Sequence, residues 1–107
     1  MPDFNSIDMR VGTVLTASEF PEARKPAIKL TIDFGPELGV KRSSAQLTVH
    51  YTPEKLIGRQ VIAAVNLGTR RIATFDSEVL VLGALPIPTE IVLLAPDHQV
   101  PNGTRIA

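Results

Sequence analysis

The sequence predicts a small all-β domain, closed as a barrel, with one short helix in the middle of the chain. Residues 28–34 alternate apolar and polar side chains without interruption, which is the pattern of a strand that buries one face. β-branched residues and short apolar runs dominate most of the remaining chain, and a convincing helix signal occurs once. A length of 107 residues leaves room for one domain, predicted to extend over residues 1–107.

The other strands follow from the same patterns. Residues 9–17 are rich in β-branched side chains and carry Gly12, where we expect a bulge or bend. Residues 40–49 form a third strand with apolar and polar positions in alternation. Short apolar runs predict further strands at residues 61–65, 79–82 and 91–95. The first two of these runs are expected to be almost fully buried.

The helix signal lies between the third and fourth predicted strands. Thr52 can cap a helix, Pro53 fits the first helical position, and Gly58 can end it. Three strands, a helix and a closing pair of strands is the wiring of the five-stranded oligonucleotide-binding (OB) fold. An SH3-like barrel or a small sandwich would place the helix elsewhere. Four prolines punctuate the C-terminal third and predict an extended β segment beyond the barrel: Pro86, Pro88, Pro96 and Pro101.

Charge is unevenly distributed in a chain whose net charge is zero. Residues 38–75 carry six basic side chains and a single acid, Glu54, whereas the rest of the chain carries five bases and ten acids. A neutral protein can therefore present a strongly basic region. The alternative is that these are ordinary solvated charges, and the fold decides between the two.

The predicted wiring brings many of these charges to one surface. OB folds usually bind ligands on the outer face of the second and third strands and on two adjacent loops. The polar side chains expected on that face are Arg24, Lys25, Lys29, Arg42, Ser44, Gln46, Asn66, Arg70 and Arg71. Asp33 is the main opposing charge expected there. Guanidinium groups and hydroxyls suit phosphate oxygens, and the Asn66 amide suits a base edge or sugar, so we predict an anionic, nucleic-acid ligand.

Aromatic residues are scarce, which bears on the kind of nucleic acid. Non-specific binding of single strands depends on aromatic stacking platforms. Phe34 points inward by parity, and Phe75 is the one stacking candidate near the face, although it suits a core position equally well. A basic surface with few aromatics favours folded RNA that is recognised by its backbone shape.

Catalytic and metal-binding patterns are missing from the sequence. Cysteine is absent, which excludes disulfides, thiolate ligands and a cysteine nucleophile. His50 and His98 lie far apart and outside any metal-ligand or triad-like spacing. We therefore predict no enzyme activity, no metal and no cofactor.

The chain also lacks the features of a membrane or secreted protein. No apolar run approaches the roughly 20 residues that a membrane span needs, and the first residues are acidic, unlike a secretory signal. We expect a cytoplasmic protein without membrane insertion.

Several stretches together resemble a known family: residues 8–14 (DMRVGTV), 20–27 (FPEARKPA), 41–46 (KRSSAQ), 51–58 (YTPEKLIG), 65–67, 70–73, 77–83 and 101–104. They are similar to the tRNA-binding domains that extend methionyl- and phenylalanyl-tRNA synthetases, and especially to the CsaA-type secretion chaperones. The resemblance covers essentially the whole chain. It implies an OB-fold homodimer whose ligands are tRNA and the unfolded precursors of exported proteins. It further implies tRNA contacts at Arg42, Ser44, Asn66, Arg70, Arg71 and Ser77.

A second hypothesis is a peptide-binding chaperone that uses an exposed apolar groove. The side chains that could line this groove, or a dimer interface, are Phe4, Ile7, Leu85, Ile87, Val92 and Leu94. The simpler alternative is that they are core or dimer contacts. Residues 91–94 lack an obvious partner in a five-stranded barrel, so we expect them to pair across a two-fold axis. A non-catalytic stability or interaction subunit of a larger assembly is a third possibility.

Overall fold

The strands of the computed structural model, which describes residues 6–107, form a five-stranded antiparallel sheet that curls into a nearly closed barrel. The elements in chain order are β1 (Met9–Glu19), β2 (Ile28–Asp33), α1 (Gly35–Leu38), β3 (Val40–Ala45), α2 (Pro53–Leu56), β4 (Gln60–Ala64), β5 (Arg70–Ile72), β6 (Phe75–Ser77), β7 (Leu80–Val81), β8 (Gly83–Ile87) and β9 (Glu90–Leu93). The sheet order is β3-β2-β1-β4-β7, and β5–β6 and β8–β9 form separate hairpins. This architecture confirms the predicted all-β, OB-like barrel with a short helix between β3 and β4.

The core is built on the alternation that predicted β2. Ile28, Leu30 and Ile32 are buried, and Phe34 follows them into the interior, while the residues between them remain partly exposed. Full burial of one such side chain contributes about 1.5–3 kcal/mol. The strand can shift by one residue only by turning this whole set towards water, so the pattern fixes its register with β1 and β3.

Side-chain hydrogen bonds complete the barrel where the backbone ladder is incomplete. The free edge of β3 faces residues 77–79, and one backbone bond joins them, from Glu78 N to Arg42 O at 2.8 Å. The buried Ser43 hydroxyl donates to Val79 O at 3.0 Å. The Ser77 hydroxyl accepts from Ser44 N at 3.0 Å. Serine hydroxyls therefore satisfy backbone groups that a regular strand partner would otherwise satisfy.

The C-terminal segment packs against the start of β1. Gly103 N donates to Val11 O at 2.7 Å, and Val11 N donates to Thr104 O at 2.9 Å. Arg10 joins the same region, donating to Gly103 O at 3.0 Å and to Asp8 Oδ1 at 2.7 Å. The hydrogen bond to Asp8 raises the pKa of Arg10 above its ordinary value.

Gly12 does not form the predicted bulge. It pairs regularly with Val61, and the irregularity of β1 lies between Val14 and Thr16. A Cβ atom at position 12 would lie 2.6 Å from Ile32 Cγ2 and 2.8 Å from the Phe34 ring. Glycine is required here because the core packs against the backbone, a constraint that local sequence cannot show.

Three further features also differ from the sequence expectation. The single turn α1 was missed, because four residues are too few to show helical periodicity. β3 ends at Ala45 rather than at 49: Leu47 enters the core, whereas Val49 is exposed. The run at 79–82 is not a fully buried strand, since Leu80 is 52% exposed.

Pairing of residues 91–94 across a two-fold axis stays a prediction. These residues have no partner in the five-stranded sheet, as expected, but β9 pairs with β8 of the same chain in a separate hairpin. Pro86 conceals this partner in the sequence, since proline cannot donate to a ladder. Its position coincides with the shift of register between Ala84 and Ile87. Tyr51 holds the hairpin to the barrel, with its hydroxyl accepting from Leu93 N at 3.0 Å.

Across residues 6–107, no helix combines the length and the apolar character needed to cross a membrane.

Replacement of Ser43 by alanine tests the role of the serine hydroxyls in closing the barrel. We expect Ser43→Ala to lower the free energy of unfolding by about 1–3 kcal/mol, because Val79 O loses its shortest side-chain donor at a buried position. Ser44→Ala, the same change one residue along and only partly buried, should cost less than about 0.5 kcal/mol. Urea unfolding measures both, and equal losses would contradict the assigned role.

Candidate nucleic-acid interface

A cleft of about 710 Å³ opens on the barrel between the β1–β2 loop, the end of β3 and the β5–β6 hairpin. Six of the predicted polar residues line it: Arg24, Lys25, Ser44, Gln46, Arg70 and Arg71. Its remaining lining includes apolar side chains, among them Ala27, Ile72, Val81 and Ile91. The fold therefore brings together, at a single cleft, cations from two separated stretches of sequence and neutral polar groups from a third.

Lys29 and Arg42 lie beside this cleft on β2 and β3. Lys29 pairs with Ser44 and Arg42 pairs with Thr31 in the sheet register. The Lys29 ammonium lies 5.2 Å from the centroid of the Phe20 ring and 5.8 Å from that of Phe75. The Arg42 guanidinium lies 5.7 Å from the Phe75 centroid. The aromatic rings thus hold both cations on the outer face by cation–π attraction.

Phe75 is half-buried and contacts Phe20 edge to face, with ring centroids 5.5 Å apart. Of the two roles predicted for Phe75, this arrangement favours packing over a free stacking platform. The contact fastens the β5–β6 hairpin to the β1–β2 loop.

The two arginines predicted in a loop lie on a paired strand instead. Arg70 pairs with Ser77 and Arg71 with Asp76, so the ladder restrains their backbone. The hairpin turns at Ala73, which takes a left-handed φ of 52°. A restrained backbone reduces the entropy that the arginines lose when they bind a ligand.

The acidic residues that contact these cations differ from the predicted one, Asp33. Asp33 accepts a hydrogen bond from Gly35 N at 2.8 Å and helps to start α1. Asp76 and Glu78 instead contact the arginines: Arg71 Nη1 lies 2.8 Å from Asp76 Oδ1, and Arg42 Nε lies 3.3 Å from Glu78 Oε1. The sequence signal for Asp76 was its place opposite Arg71 in a hairpin that turns at 73–74.

Asn66 and Ser77 have structural partners in this chain. Asn66 Oδ1 accepts from Asp8 N, and Asn66 Nδ2 donates to Ser6 O, both at 2.9 Å. Ser77 is 9% exposed, and its hydroxyl helps to close the barrel. RNA contact by these two residues stays a prediction.

The predicted apolar groove residues are exposed wherever the structure describes them. The exposed fractions are 43% for Ile7, 61% for Leu85, 53% for Ile87, 39% for Val92 and 42% for Leu94. Phe4 lies outside the described residues. Four of the five belong to or directly follow the β8–β9 hairpin, which leaves an apolar surface apart from the cationic cleft.

The two histidines occupy separate sites. His50 pairs with Glu90 on β9, and His98 lies 3.3 Å from Asp97 on an exposed loop. Within the part of the chain that the structure describes, no group of three or more histidine, cysteine, aspartate or glutamate side chains could hold a metal ion.

A family model described as "Putative tRNA binding domain" matches residues 9–105. The chain belongs to this tRNA-binding domain family. The match confirms the resemblance read from the sequence motifs.

Solved structures of similar proteins have the same fold. Chaperone CsaA from Bacillus anthracis str. Ames is 55% identical, with a TM-score of 0.93, and the alignment covers 100% of this chain and 99% of that one. The CsaA chaperone protein from Picrophilus torridus is 45% identical, with a TM-score of 0.89 and complete coverage of both chains. CsaA chaperones are therefore relatives along the whole length of this chain.

Some curated relatives are much longer than this chain. The methionine–tRNA ligase of Methanococcus aeolicus is 35% identical over 104 residues, which is 97% of this chain and 15% of the ligase. The chain thus spans about 15% of the length of such curated relatives. It corresponds to one tRNA-binding domain of these larger proteins.

Proposed function

We propose that this chain is a non-catalytic RNA-binding protein that takes tRNA, or a similarly folded RNA, into the cationic cleft. The observation that carries the proposal is the presence of Arg24, Lys25, Arg70 and Arg71 around one cleft of a protein with no net charge. Membership of the tRNA-binding domain family supports the choice of RNA. A cytoplasmic location, where tRNA is found, belongs to the same proposal.

The chemistry of the cleft suits a phosphate backbone. Guanidinium groups bind phosphate oxygens through paired hydrogen bonds, and Ser44 and Gln46 add neutral hydrogen-bonding groups between them. Phe75, the aromatic residue nearest the arginines, packs against Phe20 and beneath two cations. Recognition by backbone shape therefore fits the cleft better than stacking of successive bases.

Removal of the arginines tests this proposal. Arg42→Ala, Arg70→Ala and Arg71→Ala should each weaken binding of different tRNAs to a similar degree. Each should also reduce the slope of log K against log salt concentration by about one unit, because binding with one phosphate contact fewer releases fewer counterions from the RNA. Affinities measured at several salt concentrations check both effects.

Lys55→Ala is the control for these variants, because Lys55 is exposed on α2 and outside the cleft. Its affinity and salt slope should equal those of the unmodified protein, and an equal loss at Lys55 would reduce the interaction to diffuse attraction.

Asn66→Ala separates a base contact from a structural role. A contact to a base would cost about 1–3 kcal/mol for preferred RNAs only, at an unchanged salt slope. Loss of the structural bonds to Asp8 and Ser6 would instead weaken the binding of all RNAs alike.

The exposed hairpin favours a second, chaperone-like function. Leu85, Ile87 and Val92 present apolar side chains on β8–β9 that the described chain leaves uncovered. We propose that part of this surface joins two copies of the chain into a homodimer, and that the dimer presents the remainder as an apolar groove that takes up unfolded precursors of exported proteins. The relatives described as CsaA chaperones support this proposal.

Light scattering at micromolar concentration tests the assembly. The unmodified chain should have twice its mass of 11.6 kDa, and Ile87→Asp should yield monomers because it buries a charge in the interface. Ile57→Asp is the matched control, since Ile57 has the same 53% exposure but follows α2. A monomeric unmodified protein, or a dimeric Ile87→Asp variant, would contradict the proposed interface. Loss of both the dimer and precursor binding in Ile87→Asp alone would support the chaperone function over a bare stability subunit.

A further inference from the structure

Asp76 occupies the point where two arginines of the cationic surface meet. Its Oδ1 lies 2.8 Å from Arg71 Nη1, and its Oδ2 lies 3.9 Å from Arg42 Nη2. The two arginines come from different strands, β5 and β3. All three side chains are at least one-third exposed, so the carboxylate can be displaced by a ligand from solvent.

The neighbouring acid, Glu78, differs from Asp76 because it belongs to the barrel closure. Its carboxylate accepts from Arg42 N at 3.0 Å, and its own N donates to Arg42 O at 2.8 Å. Asp76 makes its ion pairs with side chains, on the hairpin that covers the cleft. Neutralising Asp76 therefore changes the charge of the surface and leaves the closure intact.

We infer that Asp76 is a specificity-determining residue that competes with anionic ligands for Arg42 and Arg71 and so selects phosphate-rich RNA over acidic polypeptide. The inference rests on the proposed RNA-binding function and deepens it. An acidic peptide that reaches only these two arginines must displace Asp76, so it exchanges one carboxylate for another and gains little. A folded RNA also binds through the other cations of the cleft and releases condensed counterions there, so it can leave an Asp76 ion pair in place and bears less of the displacement cost.

The size of this effect follows from the exposure of the pairs. An exposed ion pair is weak, and two of them together change an equilibrium by about threefold to tenfold. The Asp76→Asn variant keeps the shape of the side chain and removes its charge. We expect this variant to bind tRNA about threefold to tenfold more tightly at low salt, with a smaller gain at high salt because of screening.

The experiment measures dissociation constants for tRNA and for poly-glutamate with the full chain, Asp76→Asn and Asp97→Asn. Asp97 is an exposed aspartate away from the arginines, so Asp97→Asn controls for the change in net charge. Both ligands should bind Asp76→Asn more tightly than Asp97→Asn, and the factor should be larger for poly-glutamate. Asp76→Ala should give the same order and guards against an effect particular to asparagine.

Three outcomes are separable. If the full chain binds tRNA but Asp76→Asn binds it no more tightly than Asp97→Asn does, Asp76 is not a competitor and the inference is wrong. If both ligands gain by the same factor, Asp76 sets affinity without selectivity, which overturns the specificity claim. If neither the full chain nor Asp76→Asn binds tRNA at low salt, the proposed function itself fails, and the inference fails with it.

Discussion

The closure of the barrel between β3 and residues 77–79 is the contact on which the cleft depends. Ser43 and Ser77 provide it with buried hydroxyls, and one backbone bond from Glu78 completes it. The β5–β6 hairpin leads directly into this closure, so the same contacts fix the position of Arg70 and Arg71 relative to β3. A buried hydroxyl without its partner costs about 1–3 kcal/mol, which gives the closure a defined geometry.

Local patterns predicted much of the fold because the decisive elements have local causes. The alternation in β2 and the Thr52-Pro53 start of α2 each act over a few residues, and both lie where the sequence places them. Gly12 and the β8–β9 hairpin required knowledge of distant neighbours. Gly12 is fixed by the Phe34 ring packed on its backbone, and Pro86 conceals the partner of β9.

The site shows the same division between features with local causes, which the sequence predicts, and contacts between distant residues, which it does not. Strand parity and loop position predicted that Arg24, Ser44 and Arg70 would share a surface, and the structure places them around one cleft. Composition could not show that Asp76 neutralises part of that surface, because this depends on the cross-strand register of a hairpin read as a loop. Nor could it show that the Asn66 amide holds backbone groups near the start of the chain. The number of basic residues can thus be counted from the sequence. The charge that the surface leaves unneutralised depends on which acidic side chains contact those residues in the fold.

The most direct test of the account is a nuclear magnetic resonance titration of the labelled protein with tRNA, read at the backbone amides. The account predicts that the amides that shift cluster in residues 22–27, 42–46 and 70–73, which border the cleft, while those of α2 and of β8 remain unchanged. Shifts centred on β8 or α2, or none at low salt, would contradict the claim that barrel closure builds an RNA-binding cleft.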